Sequence, residues 1–204
     1  MDKSLSEKVI HRLTQYHCIV TAMEEDGKEV VSSPQIAELL KIDDSQVRKD
    51  MKILGKTGKT KVGYSVKEMK RLIEKTLGFE KTKDAFVVGS GNLGLALAKY
   101  DDFEYYGFNI LAMFDNDPLK INLTVNGKQV FHISKLPDLA ERLGVELAVL
   151  TVPRKYAQET ADFLVASGIK YIWNFTPTVL KLPENIQVWN ENLIGNFLQF
   201  TKDI

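Results

Sequence analysis

Along the first third of the chain, apolar residues recur at helical spacing. Val9, Leu13, Tyr16, Val20 and Met23 alternate steps of four and three, which predicts an amphipathic helix from about Ser6 to Met23. Gly27 follows an acidic stretch and ends it. Ser33-Pro34 predicts the next helix start, because serine caps free amides and proline needs none at the first helical position. That helix buries Ile36, Leu39 and Leu40. After the turn Lys41-Ile42, Asp43 is expected to cap a third helix, with Gln46 at capping-box spacing. Its inward face is Val47, Met51 and Leu54, which leaves Gln46, Arg48, Lys49 and Lys52 on other faces. A glycine-punctuated segment, Gly55 to Tyr64, then reads as a hairpin wing that ends in the short strand Val62–Val66. Two helices joined by a short turn, with a polar second helix and a wing, are the pattern of a winged helix-turn-helix domain.

The pattern changes after Gly78 to Lys83, a short polar linker. The apolar strand Ala85-Phe86-Val87-Val88 runs into Gly89-Ser90-Gly91-Asn92-Leu93-Gly94 and a helix through Tyr100. This is G-x-G-x-x-G after a strand and opening a helix, where glycines serve a tight turn, the approach of a pyrophosphate and helix packing. The helix N-terminus adds amides and a positive dipole end. A second strand, Ile110 to Phe114, delivers Asp115, 26 residues after Gly89. A carboxylate there can accept from both adenosine ribose hydroxyls and would repel a 2′-phosphate, so NAD(H) is expected in preference to NADP(H).

Further elements alternate: a helix Ser134–Leu143, a strand Leu147–Val152, a helix Tyr156–Ala166 and a strand Tyr171–Phe175. Continuous apolar strands predict a buried, doubly wound parallel sheet with helices on both faces. The strand ends Thr151-Val152-Pro153 and Asn174-Phe175 are expected on the same edge as the glycine loop, with Asn116 following Asp115. A last amphipathic helix, about Glu191 to Thr201, carries Leu193, Ile194, Phe197, Leu198 and Phe200, and must dock on its own sheet or on a partner subunit. The expected fold class is thus α/β, with residues 1–78 a winged-helix domain and 79–204 a Rossmann-type domain.

Charge sharpens the first domain. The chain has 27 Lys+Arg and 27 Asp+Glu in 204 residues, but the balance is +3 over residues 1–78 and −3 over 79–204. Between Arg48 and Lys61, six basic residues, including Lys56, Lys59 and Lys61, face Asp50 alone. A basic stretch on a helix and its wing is the footprint of a phosphate-binding surface. The single cysteine, Cys18, excludes an internal disulfide and fits a reducing compartment. The N-terminus lacks signal-peptide character and no apolar run is long enough to span a bilayer, so a cytoplasmic protein is expected.

Catalytic equipment is missing from the pattern. Only about 30 residues follow the last strand, which leaves no substrate domain. His11, His17 and His132 are scattered, none near an expected strand end, and no Cys/His/Asp cluster has metal spacing. A dinucleotide site without a general acid or base suggests that NAD(H) is read and not turned over.

The sequence resembles the Rex family of bacterial redox-sensing transcriptional repressors almost end to end. The resemblance is carried by Val47-Arg48-Lys49-Asp50, Gly63-Tyr64, Gly89 to Gly94, Phe114-Asp115-Asn116-Asp117-Pro118, Thr151-Val152-Pro153 and Asn174-Phe175-Thr176-Pro177. It implies a homodimer with the C-terminal helix, from about residue 190, swapped between subunits. It also implies operator binding by two winged domains and release when NADH replaces NAD+. The family's DNA-reading positions carry over to Gln46, Arg48, Lys49 and the wing around Lys59.

Three departures stand out. Lys52-Ile53-Leu54-Gly55 replaces the family's usual Ser-Tyr-Phe-Gly, and Thr60-Lys61 replaces Arg-Gly in the wing. Many members pair an arginine of the first helix with an aspartate at the start of the last; here the aligned residues are Cys18 and Asn192. The expected function is an NAD(H)-responsive repressor bound to double-stranded operator DNA. The alternatives are a small NAD-dependent oxidoreductase and a relative that has lost operator binding.

Overall fold

The computed structural model describes residues 5–55 and 63–202, in two compact units, Met1–Lys81 and Thr82–Ile204. The first unit runs α1 (Glu7–Glu25), β1 (Val30–Val31), α2 (Ser33–Leu40), α3 (Asp44–Ile53), β2 (Tyr64–Ser65) and α4 (Val66–Leu77). Strands β1 and β2 pair antiparallel, Val31 opposite Tyr64. The helices close over Leu13, Tyr16, Val20, Ile36, Val47, Met51, Met69 and Ile73, all buried. The apolar stripe of α1 is therefore the core stripe, with Val9 and Met23 at its margin.

Local chemistry shifts some expected boundaries. Ser32, not Ser33, caps α2: its hydroxyl accepts from the Gln35 amide, and the Gln35 side chain accepts from the Ser32 amide, a complete capping box. Asp43 caps α3 through the Ser45 amide, and the Gln46 side chain takes no part in that cap, turning to Asp50 instead. Leu39 is exposed instead of buried. Helix α4, absent from the sequence reading, starts at Val66, where a strand residue was expected; the Ser65 hydroxyl caps it. Of the expected wing, Lys56, Lys59 and Lys61 lie outside the described residues.

The second unit continues with β3 (Lys83–Val88), α5 (Asn92–Ala98), α6 (Asp102–Tyr105), β4 (Phe108–Asp115), β5 (Thr124–Val125), β6 (Lys128–His132), α7 (Leu136–Leu143), β7 (Leu147–Leu150), α8 (Ala157–Ala166), β8 (Tyr171–Asn174), β9 (Gln187–Asn190) and α9 (Leu193–Phe200). Strand order is β5-β6-β4-β3-β7-β8-β9, parallel except where β5 joins β6. Alternate residues serve the two faces. Phe86, Val88, Phe114 and Leu150 pack with residues of α7 and α8, while Val87, Met113 and Val149 pack with Ala98 and the aromatic rings beyond.

The order reverses at β3, with β4 on one side and β7 on the other. Register places Val88 beside both Phe114 and Leu150, so three carboxyl ends finish level at this reversal. Crevices for ligands form at such points. The hairpin β5–β6 turns through Asn126-Gly127, both at positive φ, and its second strand pairs His132 with Asp115. A histidine does stand at a strand end, contrary to expectation. Its Nδ1 and the Ser134 hydroxyl lie 2.7 Å apart, and it accepts from the Ser134 amide, which makes it the cap of the turn entering α7.

Candidate nucleic-acid interface and nucleotide cleft

In α3, Val47 and Met51 point inward, and Arg48, Lys49 and Lys52 are exposed, as the helical spacing requires. Asp50 is the anchor of this helix. Its carboxylate, 1% exposed, accepts from Arg12 Nε at 2.6 Å and Nη2 at 2.8 Å, from the Tyr16 hydroxyl at 2.8 Å and from the Gln46 amide at 2.9 Å. Burial pushes the Asp50 carboxyl up, but the donated bonds outweigh it and hold the group below its ordinary range. The same network raises the Tyr16 hydroxyl, chiefly through burial.

Gln46, expected to read DNA, therefore spends its side-chain amide inside the domain. Arg48 donates two bonds to Asp44 one turn earlier, at 2.5 and 2.8 Å, and stays half-exposed. Such an exposed pair is worth little in water, so Arg48 is readily released to a better acceptor. Lys49 and Lys52 stand with it on the exposed side.

The cleft of the second unit is built where β3, β4 and β7 end. Gly89 sits at φ +102, and a Cβ there would press on the Thr151 carbonyl carbon at 2.9 Å. Thr151 Oγ1 lies 2.7 Å from the Gly89 carbonyl oxygen, so it ties β7 to the glycine turn. Gly91 caps α5 and has open space at its Cβ direction. A Cβ on Gly94 would overlap the Gly89 carbonyl oxygen, so the third glycine allows helix and turn to touch.

Asp115 is held from four sides. Oδ2 accepts from the Ser90 amide at 2.8 Å, the Ser90 hydroxyl at 2.6 Å and Lys120 Nζ at 3.1 Å; Oδ1 accepts from the Asp117 amide at 2.9 Å. Burial would raise this carboxyl, but the bonds from Ser90, Asp117 and Lys120 bring it down to about 2. It is an anion at every working pH, fixed at the tip of β4.

A cleft of about 830 Å³ opens here, bordered by Gly89, Gly91, Asp115, Asn116, Thr151, Val152 and Pro153, all expected at the site. The remaining expected residues act behind it or elsewhere. Ser90 is buried against Asp115, Asn92 and Leu93 open α5, and Gly94 is packing. Asn174 does not face the cleft: fully buried, it donates to the Thr178 carbonyl and to Asn190, and accepts from the Thr176 amide and hydroxyl. Phe175 packs on Trp173, ring centres 4.8 Å apart. Sequence reasoning missed Lys120 and the wall made by Tyr156, just before α8, and by Glu159, Thr160 and Phe163 on it. The signal for Lys120 was its place in the turn that follows Asp115; the α8 residues carried none, because they have ordinary helical spacing.

On the last helix, Leu193, Ile194, Phe197, Leu198 and Phe200 are 56–76% exposed. Asn192 caps it, its side-chain oxygen accepting from the Gly195 amide at 2.9 Å. Among the described residues no helix is long and apolar enough to cross a membrane.

Comparison with known proteins supplies relatives for both units. Residues 4–51 match the family model "Putative DNA-binding protein N-terminus", and residues 79–178 match "CoA binding domain". The redox-sensing transcriptional repressor Rex of Treponema denticola is 43% identical over 188 residues, 92% of this chain and 90% of the relative. That of Desulfitobacterium hafniense is 39% identical over 200 residues, 98% and 95% of the two chains. Among solved structures, RSP in complex with NAD+ and operator DNA has a TM-score of 0.88 at 34% identity, covering 98% of this chain and 92% of that one. RSP in complex with NADH has a TM-score of 0.87 at 33% identity, covering 98% and 94%.

Proposed function

The chain belongs to the Rex family of redox-sensing transcriptional repressors, and we propose how its residues carry out that function. The protein is an NADH-responsive repressor that binds DNA, not an enzyme, and NAD(H) is the ligand that it senses. The observation that carries the residue assignment is the cleft at the β3 reversal. It joins a glycine turn open to a pyrophosphate at Gly91 with a fixed anion at Asp115, which match the diphosphate and the ribose of an adenosine diphosphate.

In this reading Gly89 and Gly91 cradle the pyrophosphate, and Asp115 Oδ1 takes a ribose hydroxyl. Asn116, Val152 and Pro153 border the dinucleotide, and Thr151 holds the glycine turn. Ser90, Gly94 and Asn174 are positioning residues. A carboxylate on the ribose disfavours any ribose phosphate, which sets NAD(H) ahead of NADP(H) and also ahead of coenzyme A, despite the name of the matching domain.

Operator contact falls to Arg48, Lys49 and Lys52 on α3, with Lys59 and Lys61 following in the chain. Gln46 contributes by holding Asp50, or exchanges that bond for a base on docking. The exposed apolar face of α9 is a subunit contact, so the protein works as a dimer in a soluble compartment, the cytoplasm.

Titration of the purified chain with NADH, followed by nicotinamide fluorescence, tests the site. Saturable binding that is lost in Gly91→Val supports it. Unaltered binding in Gly91→Val removes it.

A further inference from the structure

The ring of donors around Asp115 leaves the carboxylate unequal ends. Three donors crowd Oδ2, and one occupies Oδ1, so only Oδ1 keeps a lone pair for a ribose hydroxyl. A carboxylate that gripped both hydroxyls would have to lose a protein donor. The donor on the longest tether is Lys120, 36% exposed, on the lip of the same cleft, with Asp117 4.0 Å away as a second anion.

That ammonium changes the electrostatics of the subsite. Asp115 alone would present a bare negative charge to a phosphate at the ribose 2′ position. With Lys120 at 3.1 Å, the charge of Asp115 is offset and only that of Asp117 is left over among the three groups, with a partly exposed cation standing at the rim. A 2′-phosphate carries close to two negative charges and three acceptor oxygens, a stronger acceptor for Lys120 than a carboxylate already holding three other donors.

We propose that Lys120 is a specificity-determining residue: it moderates the exclusion of 2′-phosphorylated dinucleotides that Asp115 imposes. Asp115 sets the preference for NADH, and Lys120 sets how large that preference is. The proposal rests on the dinucleotide reading of the cleft.

The test measures dissociation constants for NADH and NADPH by nicotinamide fluorescence, on the full chain and on Lys120→Met and Lys120→Arg. In Lys120→Met, the ratio of the NADPH constant to the NADH constant should rise by about tenfold or more, the loss of a charge-assisted contact. Lys120→Arg should keep the wild-type ratio. The thermal transition of each variant reports that its fold is intact. A ratio unchanged or narrowed in Lys120→Met, with NADH still bound, overturns the role of Lys120 alone. Wild-type protein that binds NADH but shows no measurable NADPH binding overturns it too, since Lys120 then offsets nothing. Wild-type protein that binds neither dinucleotide overturns the reading of the cleft and the proposal with it.

Discussion

Single atoms decide whether the glycine turn can exist. Gly94 lies so close to the Gly89 carbonyl that a methyl group must push α5 off the turn, whereas Gly91 faces open space. The two glycines should therefore separate by phenotype. Gly94→Ala should lower the stability of the second unit by about 1–3 kcal/mol, the usual cost of overpacking, seen as an earlier thermal transition. Gly91→Val should melt like the wild type and lose NADH. A Gly91 variant that unfolds would mean that the turn needs this glycine for itself and not for a ligand.

Asp50 makes a second prediction at this scale, in pH. Its folded-state pKa lies below the ordinary 3.8, so its contribution to stability is complete above that value and is lost as pH falls through the lower, folded one. Acid titration of the first unit's unfolding transition should show a loss below about pH 4 that Asp50→Asn lacks. Arg12→Ala should cost about 3 kcal/mol at neutral pH, because it strands a buried anion. A loss under 0.5 kcal/mol would show that Tyr16 and Gln46 suffice to hold Asp50.

Element by element, helix α3 joins a rigid inner face to an exposed basic one. Replacing Arg48 and Lys49 together with Ala should weaken operator binding by roughly 2–6 kcal/mol without moving the thermal transition, since both are exposed. Unchanged affinity would remove α3 from the interface. Helices α1 and α3 and strands β3, β4, β7 and β8 were legible because their apolar period matches their burial. Helix α4 was not, since Val66, Met69 and Ile73 follow a glycine-rich segment that reads as strand. Strand β9 was missed because it is an edge, mostly exposed, and shows no apolar run. At the site, the glycines and Asp115 were legible because spacing encodes them. The internal partners of Gln46 and Asn174 were not legible, because sequence places a polar side chain on an element without saying whether a buried partner has claimed it. Lys120 needed the folded turn to bring it back to Asp115.

For the molecule as a whole, the question is how cofactor state reaches DNA. A ligand shifts the balance only by its differential affinity for two states. Cys18 is exposed on α1 and Asn192 is occupied as the cap of α9, so neither offers the charge that an arginine–aspartate pair would. Both being neutral, no charge is left stranded, and the coupling between ligand and operator should be weaker than with such a pair. Cys18→Arg with Asn192→Asp should therefore enlarge the effect of NADH on operator affinity; aspartate caps helices as well as asparagine, so α9 should persist. An unchanged effect would show that other contacts carry the switch.

The most direct measurement is the affinity of the wild-type chain for an operator duplex, selected by the protein from random sequence, with saturating NAD+ and with saturating NADH at one salt concentration. A coupling free energy of 1–3 kcal/mol, typical of such switches, predicts binding about 5- to 150-fold weaker with NADH. Equal affinity with the two cofactors, or no sequence-selective DNA binding with either, would contradict the reading of this protein as an NADH-released repressor.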